Sequence, residues 1–507
     1  MEQQKIKIFN FRPLYLTAFI AILAPLILNG CIKFQKDILI GVIISFAFAL
    51  LIIAVFLFFY KFHKIAVLLL ISLIIFIIIS VNGLVTIFNY QNSEQTLSGV
   101  FDVEVSEIIS VEYGKDINNY FIKGKFYNDN KVCNGYINLS TSYKIYQGYN
   151  LTLKCNFTKL DGVSENYNSI YKKIFYSAYN PTLIAFNQFK NAPFTSIKEN
   201  LLNILNEHMP LSAGFSYGIL TGDTVYITKS VLTDFRNVGT AHIFAVSGLH
   251  IGFLYAMLSI FLKAIKLNKK FHFYIICPIL LLYVAFCGFS PSCIRAFVIV
   301  STLTLSKALG VKADRISALL LSLIIVLIIN PFDLFSIGFQ LSFVIYSSLI
   351  LLVKPFEKLL DKIMPNSFSK TLSPAIIAFL SSLPIIIDNF ESASLFTCIF
   401  NIVIIPLVSV VYSFLFIISV FALLINWLGI LLIVPDLILG ALIFVISKME
   451  TTLFMLGGFV FSLSKIPYYF IMVNNSGLLN SNKKTKRLID ALSICFFIIL
   501  IVVINSI

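Results

Sequence analysis

Eight side chains are candidates to line a polar path: Asp223, Arg236, His242, Ser247, His250, Arg295, Asn330 and Gln340, all but Arg236 and Ser247 bordering or occupying apolar runs. A charge at mid-bilayer costs about 2.5–3.5 kcal/mol or more, so such groups persist where they face protein interior or water. Arg295 offers a planar fork that fits a phosphate. It could equally pair with Asp223 or anchor a helix end at the interface. His242 and His250 are eight residues apart, about 80° round a helix. They could line one cavity, or sit as two hydrogen-bonded core histidines. Together they fall short of the three or four ligands that a metal takes, so no metal and no other cofactor is expected. Ser247-Gly248 could break a helix and turn backbone carbonyls toward a water-filled path. Close packing of helices on small residues is the other use of such a pair. Gly288 and Pro291 carry the same two readings, a broken helix or an ordinary loop.

The elements that hold these residues are written in long uncharged stretches. No charge falls between Arg12 and Lys33, between Asp37 and Lys61, or between Lys64 and Glu94. Each gap suffices for a helix crossing about 30 Å of hydrocarbon. The chain is 58% hydrophobic and 12% charged over 507 residues, about half the charge of a soluble domain. Its net charge of +14 gathers in short clusters beside apolar runs, as at Lys263–Lys270 and 483–487. The positive-inside rule accounts for that pattern, so basicity is no argument for nucleic acid. The same rule puts the N-terminus inside and the region from Gln91 to Lys198 outside.

Residues 1–90 read as three N-terminal spans. Residues 91–198 are polar, with candidate strands at Val100–Ser106, Asn119–Tyr127, Lys131–Leu139 and Tyr149–Phe157, which suggests a small β barrel or sandwich. Eleven Lys stand against ten acidic residues over 91–199, so no purely electrostatic nucleic-acid face is visible there. Cys133 and Cys155 fall on neighbouring candidate strands and outside the membrane, where a disulfide is permitted; two small core thiols are the other reading. Residues 199–239 read as amphipathic helices and a connector, with Leu201, Leu202, Ile204, Leu205 and Met209 at helical spacing. Residues 240–480 carry spans near 241–262, 271–289, 292–306, 316–330, 335–353, 372–388, 393–411, 412–427 and 429–447, then an amphipathic stretch at 448–463. A final span falls in 481–507. The fold class is a polytopic α-helical membrane protein of about 11–13 spans with a small extracytoplasmic β domain.

The motifs narrow the reading. Thr221-Gly222-Asp223 is followed by Phe235-Arg236, Gly239 and then His242-Ile243-Phe244-Ala245-Val246-Ser247-Gly248-Leu249-His250. A second block is Gly288-Phe289-Ser290-Pro291-Ser292-Cys293-Ile294-Arg295-Ala296. A third is Asn330-Pro331 with Gly338-Phe339-Gln340-Leu341-Ser342-Phe343, and Asn401 and Pro406 follow. In this order and over roughly residues 212–470, the chain resembles the ComEC family of competence DNA-uptake channels. The resemblance implies an OB-like outer domain and passage of single-stranded DNA across a bacterial cytoplasmic membrane. It also implies a surface DNA receptor outside and a cytosolic helicase-like translocase inside, with the lipid bilayer around the spans. Many members end in a metallo-β-lactamase-like domain with a His-x-His-x-Asp-His cluster. The five histidines of this chain, His63, His208, His242, His250 and His272, are not so spaced. The expectation is therefore that the chain is not an enzyme and that any nuclease is a separate protein.

Two other functions are open. Ser247-Gly248 resembles a rhomboid-type Ser-Gly nucleophile of an intramembrane serine hydrolase. A catalytic histidine reaches its serine from a second element, and His250 lies on the same helix, which leaves His272 only if its helix packs alongside. A transporter of a small or lipid-linked solute also fits the composition. No phosphate-binding loop of the Gly-x-x-x-x-Gly-Lys-[Ser/Thr] type occurs, so ATP is not hydrolysed by that route.

Overall fold

A computed structural model describes residues 13–33, scattered positions between 45 and 55, 63–113, 117–128, 131–143, 145–160, 172–187, 194–240, 243–244, 248–311, 314–390, 392–394, 397–448, 455–457 and 468–469. Uncharged sequence becomes helix: α1 (Pro13–Lys33) and α2 (His63–Gln91) pack together before the polar region. The expected second span and the final span lie outside the described residues, apart from a few helical positions in the second.

The polar region is a closed barrel. Its strands are β1 (Thr96–Tyr113), β2 (Asn118–Asn128), β3 (Lys131–Thr141), β4 (Asn150–Lys159), β5 (Tyr176–Tyr179) and β6 (Thr182–Asn187). β1 is long enough to serve two neighbours. Its first half pairs with β4 and its second with β2, bending through two register shifts. β3 meets β5 in parallel, and β5 meets β4, which closes the order β1-β2-β3-β5-β4 back onto β1. That is an OB-like arrangement. Alternation puts Val103, Val105, Ile122, Phe126, Ile137, Leu139, Leu151, Leu153 and Phe157 inside, each fully buried. Phe126 and Phe157 stack at 4.1 Å, and Phe101 meets both edge-on.

The anticipated Cys133–Cys155 disulfide is not formed. The two cysteines are on β3 and β4, which β5 separates rather than leaving them adjacent. Burial pushes the Cys155 thiol up to about 11, which leaves it inert. The four expected strands are present, but β5 and β6 were not foreseen; four and six residues long, they carry little pattern.

Three short helices connect the barrel to the membrane part: α3 (Thr195–His208), α4 (Ala213–Thr221) and α5 (Lys229–Asn237). α3 buries Leu201, Leu202, Ile204 and Leu205, the expected face. Then follow α6 (Gly248–Ala264), α7 (Lys269–Phe286), α8 (Pro291–Ala308), α9 (Arg315–Ile329), a 3-10 turn at Pro331–Phe335, α10 (Ile337–Leu360), α11 (Asn366–Phe390) and α12 (Thr397–Leu424). A second 3-10 turn (Asn426–Leu432) leads into α13 (Ile433–Ser447). Among the described residues, five helical stretches are long and apolar enough to cross a membrane, and shorter apolar helices occur as well. The chain is thus a multi-pass helical membrane protein with a β domain.

Three span readings need correction. Residues 393–411 and 412–427 are not two spans but the single 28-residue α12, which runs through Pro406; a bundle re-satisfies the one carbonyl that proline frees. The span expected from 241 begins at Gly248 instead, because Ile243 and Phe244 form a turn. Within the stretch read as amphipathic after 448, Met455–Gly457 is a strand paired with Ser392–Ser394.

Gly124 lies against the Val103 side chain and 2.8 Å, measured from an added Cβ, from Ile137 Cδ1. Gly124→Ala is expected to overpack the barrel and cost about 1–3 kcal/mol. A lower Tm for barrel unfolding is the readout.

Candidate functional site

The second motif block builds its own turn. α7 stops at Cys287, and Gly288 and Phe289 take left-handed φ values of 75° and 54°, a conformation that glycine adopts without cost. Ser290 then caps α8 by accepting from the Cys293 N–H at 3.4 Å, with Pro291 in the first turn. This places Arg295 near the start of α8, facing inward and 7% exposed.

What surrounds Arg295 comes from all three motif blocks. A Cβ added to Gly248 would sit 3.0 Å from an Arg295 terminal nitrogen, so the glycine of the first block makes room for the guanidinium. The Gly338–Phe343 part of the third block lies in α10. The Arg295 guanidinium carbon is 5.8 Å from the Phe343 ring centre and 5.2 Å from that of Tyr346, and Phe343 in turn contacts Phe339 at 4.2 Å. Among the described residues no carboxylate is within ion-pair distance of Arg295, and its Nε has no hydrogen-bond partner. The pairing of Arg295 with Asp223 does not occur: Lys198, not Arg295, is the cation that steadies Asp223.

Behind this centre runs a buried hydrogen-bonded chain. Tyr412 of α12 donates to the Tyr283 hydroxyl at 3.0 Å, and Tyr283 donates to the Leu220 carbonyl of α4 at 3.0 Å. His250 is 2% exposed and packs edge-on against Tyr412 at 4.8 Å, a core histidine. The opposite end of α4 is held by Asp436 of α13, 3% exposed, which accepts from Ser212 Oγ at 2.7 Å and from the Leu211 N–H at 3.3 Å. A carboxylate belongs at a helix N-terminus, and hydroxyl donors complete the carbonyl end. α4, buried from Phe215 to Thr221, is thus held at both ends by side chains from other helices.

α4 leads into the Gly222-Asp223 turn, which opens on a narrow cleft at the seam with the barrel. Tyr146 and Gln147 of the barrel, Lys198 and Glu199 of α3, and Tyr217 and Asp223 line it. Lys198 donates to Gln147 Oε1 at 3.1 Å, and Asp223 Oδ1 accepts from the Val225 N–H at 3.2 Å. Burial pushes the Asp223 carboxyl up to about 6, against the pull of Val225 and Lys198.

The other predicted residues are dispersed. Asn330 donates to Asp333 Oδ1 at 2.8 Å, and Gln340 to the Leu334 carbonyl at 3.3 Å, both bracing the 3-10 turn. Arg236 is exposed at the end of α5, where the Gly239 N–H returns to its carbonyl. His242 and Ser247 lie outside the described residues. Sequence reasoning missed Tyr283, Tyr412 and Lys198, which carry no pattern. Asp436 had a signal, a lone acid in an apolar run.

The raised Asp223 carboxyl fixes a sign. Its folded value, about 6, exceeds that of an unfolded aspartate, about 3.9. The folded state therefore takes up this proton first, and stability from this group rises as pH falls through about 6. Asp223→Asn, which keeps an acceptor for Val225, is expected to match or exceed the parent Tm at pH 7.5, with the difference fading by pH 5. Thermal unfolding in detergent at the two pH values checks it.

Residues 219–479 match the family model described as competence protein. ComE operon protein 3 of Bacillus subtilis (strain 168) is 30% identical over 212 residues, which are 42% of this chain and 27% of that protein. The matched stretch thus spans about a quarter of the relative's length. No solved structure matches. All three blocks that meet at Arg295 fall inside the matched region, and the chain belongs to the competence protein family.

Proposed function

We propose that this chain passes single-stranded DNA across a bacterial cytoplasmic membrane during natural transformation. One observation carries the reading. Arg295 is a buried cation at the meeting point of the three motif blocks, held by aromatic faces and given no carboxylate among the described residues. An ion pair would satisfy its charge permanently. Without one, the guanidinium keeps its fork for a passing anion, and phosphate geometry matches that fork.

The barrel supports the reading at a second place. Phe121 and Tyr136 stack at 5.3 Å on neighbouring strands β2 and β3. Lys123 and Lys125 lie on β2 at the same alternate positions as Phe121. Bases stack on such rings and phosphates follow the lysines, and the β2–β3 face is the one by which OB folds take oligonucleotides. The balanced charge of the domain as a whole hides this local grouping. A receptor outside and a helicase-like translocase inside are the partners this route calls for.

Arg295→Ala is expected to insert normally and to abolish uptake of labelled DNA by cells in which it replaces the parent chain. Arg295→Lys keeps the charge without the fork and is expected to recover only part of the uptake. Normal uptake by Arg295→Ala would refute the role. In the barrel, Phe121→Ala with Tyr136→Ala is expected to weaken binding of a single-stranded oligonucleotide by about 1–3 kcal/mol per lost stack, measured by fluorescence anisotropy on the purified protein.

A further inference from the structure

The barrel meets the membrane helices along two edges of different character. On one edge, Lys229 and Glu112 pair at 2.5 Å with both side chains largely exposed, a contact of little strength. On the other edge, contacts are more enclosed and come in a group. Tyr90 of α2 donates to the Leu160 carbonyl at 2.6 Å, and Lys159 donates to the Gln91 and Ser93 carbonyls. Phe175 packs edge-on against the Tyr90 ring at 5.5 Å.

Lys173 is at the centre of this second edge. Its backbone is left-handed, with φ 57°, a conformation that costs about 1 kcal/mol or more outside glycine. Asn134 of β3 braces it from both sides: its side chain donates to the Lys173 carbonyl at 3.0 Å, and its own carbonyl accepts from the Phe175 N–H at 3.1 Å. The half-buried Lys173 ammonium is thereby delivered to Asn82 of α2, 3.5 Å from Oδ1. The Asn82 amide donates in turn to the Ile328 and Ile329 carbonyls at the end of α9, at 2.9 and 3.1 Å. Asp333, held by Asn330, supplies the charge that favours the ammonium.

We infer that Asn82 and the Asn330–Asp333 turn form a socket in the membrane domain that receives Lys173 and fixes the position of the barrel. This gives the Asn-Pro block a docking task rather than a place on the transport path. Burial disfavours the Lys173 ammonium and the Asp333 carboxylate, and each charge offsets part of that cost for the other. The strained, braced backbone at Lys173 serves that delivery.

The test is hydrogen exchange on the full chain in lipid nanodiscs. Lys173→Glu is expected to speed exchange in peptides covering 88–95 and 328–336 about 5-fold or more, the ratio that about 1 kcal/mol of lost docking gives. Peptides covering Tyr120–Phe126 and Leu151–Phe157, inside the barrel, are expected to keep their protection. The double swap Lys173→Glu with Asp333→Lys is expected to restore the seam. Lys172→Glu, an exposed neighbour, is expected to change nothing. Unchanged exchange in Lys173→Glu would overturn the socket, as would deprotection of the barrel interior or a double swap that fails to restore the parent pattern. None of these readouts involves DNA, so they stand or fall apart from the transport reading.

Discussion

A guanidinium kept from water must be compensated, and among the described residues the compensation is made of ring faces rather than a carboxylate. Arg295 rests between Phe343 and Tyr346, interactions that gain strength when desolvated. Everything near it serves that placement. The left-handed Gly288-Phe289 pair and the Ser290 cap start α8 at the right residue. Gly248 withholds a side chain, and α10 presents its aromatic stripe. The three motif blocks, separated by about forty residues each, are thus parts of one packing problem.

A second set of constraints holds α4. Asp436 and Tyr283 grip its two ends, although α4 itself is only nine residues long and would not persist alone. Its position sets the Gly222-Asp223 turn at the cleft. The barrel closes the other wall of that cleft, so the cleft's shape depends on how the barrel is seated. Asp223 and Lys173 are thus in contact with one and the same barrel.

Much of this architecture was legible in the residues. Uncharged runs announced the helices because lipid allows no other way to satisfy the backbone. The alternation in β1 to β4 announced the barrel. The failures have causes. The α12 run lacks the charged or glycine-rich break that separates helices elsewhere, so its true length was hidden. Cys133 and Cys155 are near in sequence order of strands but not in the sheet, because β5 enters between β3 and β4. Asn330 and Gln340 look like buried polar groups awaiting a ligand, yet both are spent on a local turn. Which polar group is satisfied by a neighbour depends on tertiary packing, and no spacing rule encodes it.

Helix length has one more consequence. α9 holds 15 residues and α6 holds 17, rises of about 22 and 26 Å. The hydrocarbon slab is about 30 Å deep. Lipid around these short helices must pinch inward, or the polar ends must sink into it. Both helices neighbour α8, which carries Arg295. The insulating layer is therefore thin on both sides of the helix that buries Arg295.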